Sequence, residues 1–207
     1  MARPSLRPDE IESFRERLCD AAMETFAEQG YEAVTLRGLA EKLGCSHATP
    51  YRYFADKQEI FAAVCALGFD RFAIALERAA RGIDDPEDRL RALGRAYFRF
   101  ATTQPHAYRI MFELRESGSE SHPRYKVKEI RSWQAILQAV ELSIQAGVLA
   151  GDPDVVAHQL WAGLHGLVSL HLAGKLSLGK SAKSLLEPLL DTLFDGCRPK
   201  AAQRRRR

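Results

Sequence analysis

Apolar residues recur at helical spacing along almost the whole chain, and strict apolar–polar alternation is nearly absent. The pattern predicts an all-α fold of about nine helices. The first spans 9–29, with Ile11, Phe14, Leu18, Ala22 and Phe26 on one face and Gly30 as its stop. Thr35 is an N-cap for the second, whose apolar face is Leu36, Leu39, Ala40 and Leu43, and Gly44 occupies the position of a left-handed stop. Ser46 is placed to cap a short third helix carrying His47, Thr49, Tyr51 and Arg52. Pro50 follows that serine by four residues. Proline is tolerated there only because the N–H groups of a first turn have no helical partner, so this helix must be short. Asp56 and Glu59 make a capping box for a fourth helix over 56–81, roughly 40 Å long and able to start in one domain and finish in the next.

Further helices are expected over 86–103, 105–116, 123–147, 153–175 and 184–196, the last opened by a Ser184/Glu187 capping box with Pro188 in its first turn. A polar loop covers 117–123. The organisation expected is a helix-turn-helix domain over 9–57, preceded by a Pro/Arg-rich arm. A larger domain covers 58–197, and a basic tail covers 198–207. Two features of the second half stand out. Ala162, Gly166, Ser169 and Ala173 form a small-residue stripe that permits close helix approach, and Leu186, Leu189, Leu190, Leu193 and Phe194 offer an apolar face beside it. Tyr97, Phe98, Phe100, Tyr108, Phe112, Trp133 and Trp161, with His106 and His165 among them, suit an apolar pocket with a few polar handles. The same aromatic set suits a packed core.

Charge changes the picture locally more than globally. The 207 residues carry a net +3, but 198–207 holds six positive and no negative charges, leaving 3 minus 6, or −3, for the rest. Any nucleic-acid affinity must come from placement rather than bulk charge. Within 35–57, Arg37, Lys42, Arg52 and Lys57 face only Glu41 and Asp56. The four cysteines (Cys19, Cys45, Cys65 and Cys197) show no metal-type spacing, and no metal or cofactor is expected. His165 and His171, six apart, point to different helix faces. No signal-like leader and no span of 18 uncharged apolar residues is present, so the expectation is a cytoplasmic protein without a membrane partner.

Helix, tight turn and short polar-faced helix is the helix-turn-helix arrangement, whose second helix enters the major groove of DNA. Thr35 and Ser46 offer hydroxyls at helix N-termini, Tyr51 and Tyr53 phenolic donors, and Lys57 an ammonium, all suited to phosphate. Residues 46–50 lack Arg, Lys, Asn and Gln, which make the two-pronged contacts to guanine or adenine. Base reading falls to His47 and the Thr49 methyl, with Arg37 and Arg52 for guanine or phosphate, so specificity leans on shape and half-site spacing.

The chain resembles the tetracycline-repressor (TetR) family of transcriptional regulators. The resemblance runs through Ala21, Phe26, Gly30, Tyr31, Thr35, Leu36, Leu39, Ala40, Leu43, Gly44, Ser46, Tyr51, Phe54, Lys57 and Ile60. It departs from the family at Pro50, where leucine or isoleucine is commoner, and at Tyr53, where histidine is commoner. Trp161-Ala-Gly-Leu-His165-Gly166 is similar to the signature of WHG-type C-terminal ligand domains. The resemblance implies backbone contacts from Thr35, Tyr51 and Lys57, dimerisation through an intersubunit four-helix bundle, and a repressor released from a palindromic operator by a small hydrophobic or aromatic effector. The candidate DNA contacts are Thr35, Arg37, Ser46, His47, Ala48, Thr49, Tyr51, Arg52, Tyr53 and Lys57. The candidate effector contacts are Tyr97, Phe100, Tyr108, Phe112, Trp133, Trp161 and His165. Alternatives are an activator, an effector-less regulator, a scaffold whose Arg204–Arg207 tail binds DNA, and an all-α enzyme. Against the last, no Ser/His/Asp order, paired carboxylates, phosphate loop or metal spacing stands out.

Overall fold

The structure, a computed structural model, describes residues 8–114 and 123–200. The N-terminal arm, most of the 117–123 loop and Arg204–Arg207 lie outside the described residues. Eight α-helices and one 3₁₀ turn make up the regular structure described: α1 (Pro8–Gln29), α2 (Leu36–Lys42), the 3₁₀ turn Pro50–Arg52, α3 (Lys57–Ala80), α4 (Pro86–Thr103), α5 (Pro105–Phe112), α6 (Pro123–Gln145), α7 (Pro153–Leu172) and α8 (Ala182–Cys197). They fall into two compact units. One holds the described residues up to Phe69 and those between His106 and Glu129; the other holds Asp70 to Pro105 and the residues from Ile130 on. Placed in the second domain by sequence, α5 belongs by its contacts to the first unit.

Local chemistry sets most helix ends. The Thr35 hydroxyl accepts the Gly38 N–H at 3.0 Å, and Gly44 (φ +63°) ends α2 in a Schellman motif, Cys45 N–H to Ala40 O and Gly44 N–H to Glu41 O. Three expectations need correction. No α-helix forms over 46–54. Pro50 has no N–H to return to the Ser46 carbonyl, and the segment winds through i→i+3 bonds instead (Thr49 N–H to Ser46 O, Arg52 N–H to Thr49 O). Ser46 is no cap either, because its hydroxyl shares a 2.8 Å hydrogen bond with that of Thr49. The second correction is at α5, which ends at Phe112 because the Glu113 and Leu114 N–H groups both close onto the Arg109 carbonyl. The third is at α8, which opens at Ser181: the Ser181 and Ser184 hydroxyls each accept the other's backbone N–H, and Glu187 is drawn away to Arg95. Pro188 therefore lies in the second turn, not the first.

The core of the first unit gathers Leu18, Ala22, Phe26, Leu36, Leu39, Phe54, Ile60 and Phe61. In the second unit α4, α7 and α8 pack against one another around Leu90, Tyr97, Leu164, Leu190 and Phe194. A charged seam closes α4 on α8. Arg95 grips Glu187 with two bonds of 2.6 and 2.8 Å. Arg91 spans Glu87 and Asp191, and Arg198, at the end of α8, returns two bonds to Glu87. Burial alone raises the Glu87 pKa, but the hydrogen bonds from Arg91 and Arg198 outweigh it and hold the carboxyl below 4.5; Arg95 does the same for Glu187. Carboxylates with lowered folded pKa values contribute their stability above about pH 4.5 and lose it as pH falls through the folded values. Glu87→Gln is expected to lower unfolding free energy at pH 7 by about 1–2 kcal/mol, after discount for solvent screening. In urea titrations the gap to the wild type should narrow as pH falls below 4.5.

Candidate nucleic-acid interface

The first unit presents one exposed polar turn on a rigid base. Pro50 and Phe54 are buried, which fixes the 3₁₀ turn against the helices beneath it, while Ser46, His47, Ala48, Tyr51 and Arg52 face outward. Tyr51 is 58% exposed, unusual for a tyrosine in a packed domain. Thr49 is half-buried and tied to Ser46. Tyr53, half-buried, packs on Phe14 with ring centroids 5.0 Å apart and so serves the base rather than the outer face.

Three of the four cations of this segment already hold carboxylates. Arg37 reaches Glu41 at 3.4 Å, and the same Glu41 oxygen accepts from His47 Nε2 at 3.2 Å. Lys42 pairs with Glu24 at 2.7 Å, and this hydrogen bond lowers the Glu24 pKa. Only Arg52 has no side-chain partner among the described residues. Lys57 opens α3, where a positive charge opposes the helix dipole, so its place there is not explained by helix stability. Its ammonium donates to the carbonyls of Tyr31 (3.1 Å) and Glu32 (3.4 Å), lies 4.2 Å from the centre of the Tyr31 ring and pins the connection between α1 and α2. The helix itself is capped by Asp56, whose carboxylate accepts the Glu59 N–H at 2.8 Å. Glu59 reaches one residue further back than expected, to the Ala55 N–H.

In the second unit a cavity of about 30 Å³ is lined by residues of α3, α4, α6, α7 and α8. Of the seven aromatic and histidine candidates, Tyr97 and Trp161 line it. A hydrogen-bonded chain runs along its edge: Trp161 Nε1–H donates to the Tyr97 hydroxyl (3.2 Å), Tyr97 is 3.3 Å from His165 Nδ1, and His165 Nε2 is 3.4 Å from the Ser169 hydroxyl. Trp133 stands outside, packed at a tilt on His158 with centroids 4.4 Å apart; Phe100 packs on Phe72 at 5.1 Å. Tyr108 and Phe112 pair with each other, and Phe112 with Phe69, inside the first unit, so the structure does not bring them to this cavity.

Residues 18–64 match the bacterial regulatory proteins of the tetR family, and residues 90–193 match the tetracyclin repressor-like C-terminal domain. The chain belongs to the tetR family. Residues 18–64 carry the helix-turn-helix region of that family. Among curated relatives of this tetR-family chain, the transcriptional activator FasR of Mycolicibacterium smegmatis is 33% identical over 99 residues, covering 48% of this chain and 45% of its own. The chain thus spans less than half of that relative. The transcriptional repressor KstR2 of Mycobacterium tuberculosis is 27% identical over 149 residues, covering 70% of this chain and 74% of its own. A solved structure of a protein of unknown function from Rhodococcus sp. RHA1 superposes with a TM-score of 0.79 at 27% identity, covering 96% of this chain and all of that one.

Sequence reasoning counted Glu41 beside the patch without pairing it, and missed Glu24 and Glu32, which hold Lys42 and Lys57. The Arg37/Glu41 spacing of four was readable as a helical pair, whereas nothing in the sequence joins Glu24 to Lys42. Lys57→Met, which keeps the aliphatic stem and removes the ammonium, is expected to cost about 1 kcal/mol of stability through the lost bonds and ring contact, read by chemical denaturation.

Proposed function

We propose that this tetR-family regulator binds a palindromic operator as a homodimer and represses transcription until a small hydrophobic or aromatic effector enters the second unit. The observation that carries the DNA reading is the outward turn Ser46–Arg52, with Tyr51 and Arg52 exposed on a buried Pro50/Phe54 anchor. Thr35, Ser46, Tyr51 and Lys57 hold phosphates; Lys57 does so by leaving Glu32. His47, Ala48 and Thr49 meet base edges, with Arg37 and Arg52 at guanine or phosphate. The repressor named among the relatives supports the sign of regulation, and the activator FasR keeps activation as the second reading.

Dimerisation is assigned to α7 and α8. Ala162 and Gly166 are exposed on α7, and a Cβ placed on Gly166 meets nothing within 4 Å, so this face has room for a second helix. Effector binding is assigned to the cavity beside Tyr97 and Trp161. No helix among the described residues is long and apolar enough to cross a membrane, consistent with a cytoplasmic protein whose partner is chromosomal DNA.

Operator fragments recovered from the organism's own genome supply the test. Tyr51→Ala should weaken operator binding by about 1–2 kcal/mol, the scale of lost charge-assisted hydrogen bonding to phosphate. Lys57→Ala should weaken all sequences alike and flatten the slope of log K against log salt by about one unit; a changed sequence preference at constant slope would remove Lys57 from the phosphate contacts. Gly166→Leu should sediment as monomer and lose the operator, because half-sites about 34–36 Å or a multiple apart need two linked units. A variant that stayed dimeric and bound normally would move the interface off α7.

A further inference from the structure

We infer that an open cleft between the C-terminal end of α3, the first half of α4 and the second half of α6 is the mouth of the neighbouring cavity, and that it takes an amphiphile with a carboxylate head and an apolar tail. The inference rests on the effector reading above and names the effector's chemistry. The cleft has a volume of about 380 Å³. Leu76 on α3 and Leu93 on α4 line both this cleft and the 30 Å³ cavity within. Both leucines are buried, at 0% and 4% exposure, and they form the shared wall between the two spaces.

The charge around the mouth is positive. Arg81 is exposed and has no side-chain partner among the described residues. Arg89 is held in place by two bonds from Nε and Nη2 to the Ile83 carbonyl, at 3.0 and 2.7 Å, which fixes the plane of its guanidinium at the rim. Glu77, the one carboxylate among the lining residues, is already taken by both prongs of Arg131 at 2.8 and 2.7 Å. Gln138 adds an amide donor. A carboxylate head at Arg81 and Arg89 meets two guanidinium groups, and its tail points at the leucine wall. The inner cavity, about 30 Å³, is much smaller than an alkyl tail, so the tail enters only if Leu76 and Leu93 turn aside. Leu76 lies on the same unbroken helix that Lys57 begins, so entry of the tail acts directly on the helix that carries a phosphate contact.

Trp161 lines the cavity, so its fluorescence reports on the tail. Decanoate and 1-decanol, equal in tail and different in head, are titrated against the full chain. Decanoate should bind at least tenfold more weakly to Arg81→Gln/Arg89→Gln than to the wild type, while decanol affinity stays within twofold. Since Arg89 also holds the Ile83 carbonyl, Arg81→Gln alone provides the control that leaves every observed contact intact; it should weaken decanoate at least threefold. If both compounds bind the wild type and neither substitution distinguishes them, the charged mouth is overturned and the effector cavity stands. If neither compound perturbs Trp161, even in Leu93→Ala with its widened wall, the effector reading falls and this inference falls with it.

Discussion

In the second unit two glycines set how closely the helices approach. A Cβ on Gly94 of α4 would lie 2.7 Å from the Leu190 side chain, and one on Gly163 of α7 would lie 2.7 and 2.9 Å from the two methyls of Leu193. Leu190 and Leu193 both belong to α8, so α8 is seated against α4 and α7 at distances that larger residues would not allow. Close packing of this kind leaves little internal space, and the cavity is correspondingly small. A ligand the size of an alkyl chain must therefore displace side chains to enter. Binding is then inseparable from a change of conformation, which is the physical requirement for a ligand to alter an equilibrium elsewhere. Seating α8 on one side of α7 also leaves the Ala162/Gly166 side bare.

The first unit solves a different problem, that of holding a polar turn rigid without burying its contacts. Pro50 and the Schellman motif after α2 restrict the backbone, and Phe54 anchors it. The cations that surround the turn are parked on Glu24, Glu32 and Glu41. Exposed pairs of this kind contribute little stability, so exchanging a carboxylate for a phosphate costs little. On the proposed DNA reading, the acidic partners would compete with phosphate and so moderate affinity for a polyanion. Arg52, outside these pairs, needs no such exchange.

What the sequence made legible was whatever is decided within four or five residues. Thr35 capping α2, the stop at Gly44, the Asp56 cap and the bounds of α4 at 86–103 all follow from local hydrogen bonding and are found where expected. The failures have the same explanation in reverse. Ser184 and Glu187 make a plausible box, but Glu187 is claimed by Arg95, ninety-two residues away. Pro50 pointed to a short helix; the same missing N–H, weighed against the Ser46 carbonyl four residues back, also disfavours an α-turn, which the expectation of a helix overlooked. Tyr108 and Phe112 shared the aromatic density of 97–161 yet pair with each other, and Phe112 with Phe69, because α5 belongs to the first unit by its contacts rather than by its place in the chain.

The Trp161/His165 pair illustrates how a sequence signature and its physical meaning come apart. Both residues were candidates for effector contact, yet in the structure both hydrogen-bond to one hydroxyl, that of Tyr97, a residue 2% exposed. Leaving such a hydroxyl unpaired costs about 1–3 kcal/mol, so Trp161 and His165 are explained first as what makes a buried tyrosine affordable. The consequence for recognition is that the polar atoms nearest the cavity are already engaged with one another. A ligand arriving there meets ring faces and aliphatic side chains, Leu160 and Leu164 among them, and gains burial rather than hydrogen bonds. Discrimination between ligands by polar groups would then require either breaking the Trp161–Tyr97–His165 chain, at the cost just stated, or, on the proposal made above, a ligand head that meets Arg81 and the tethered Arg89.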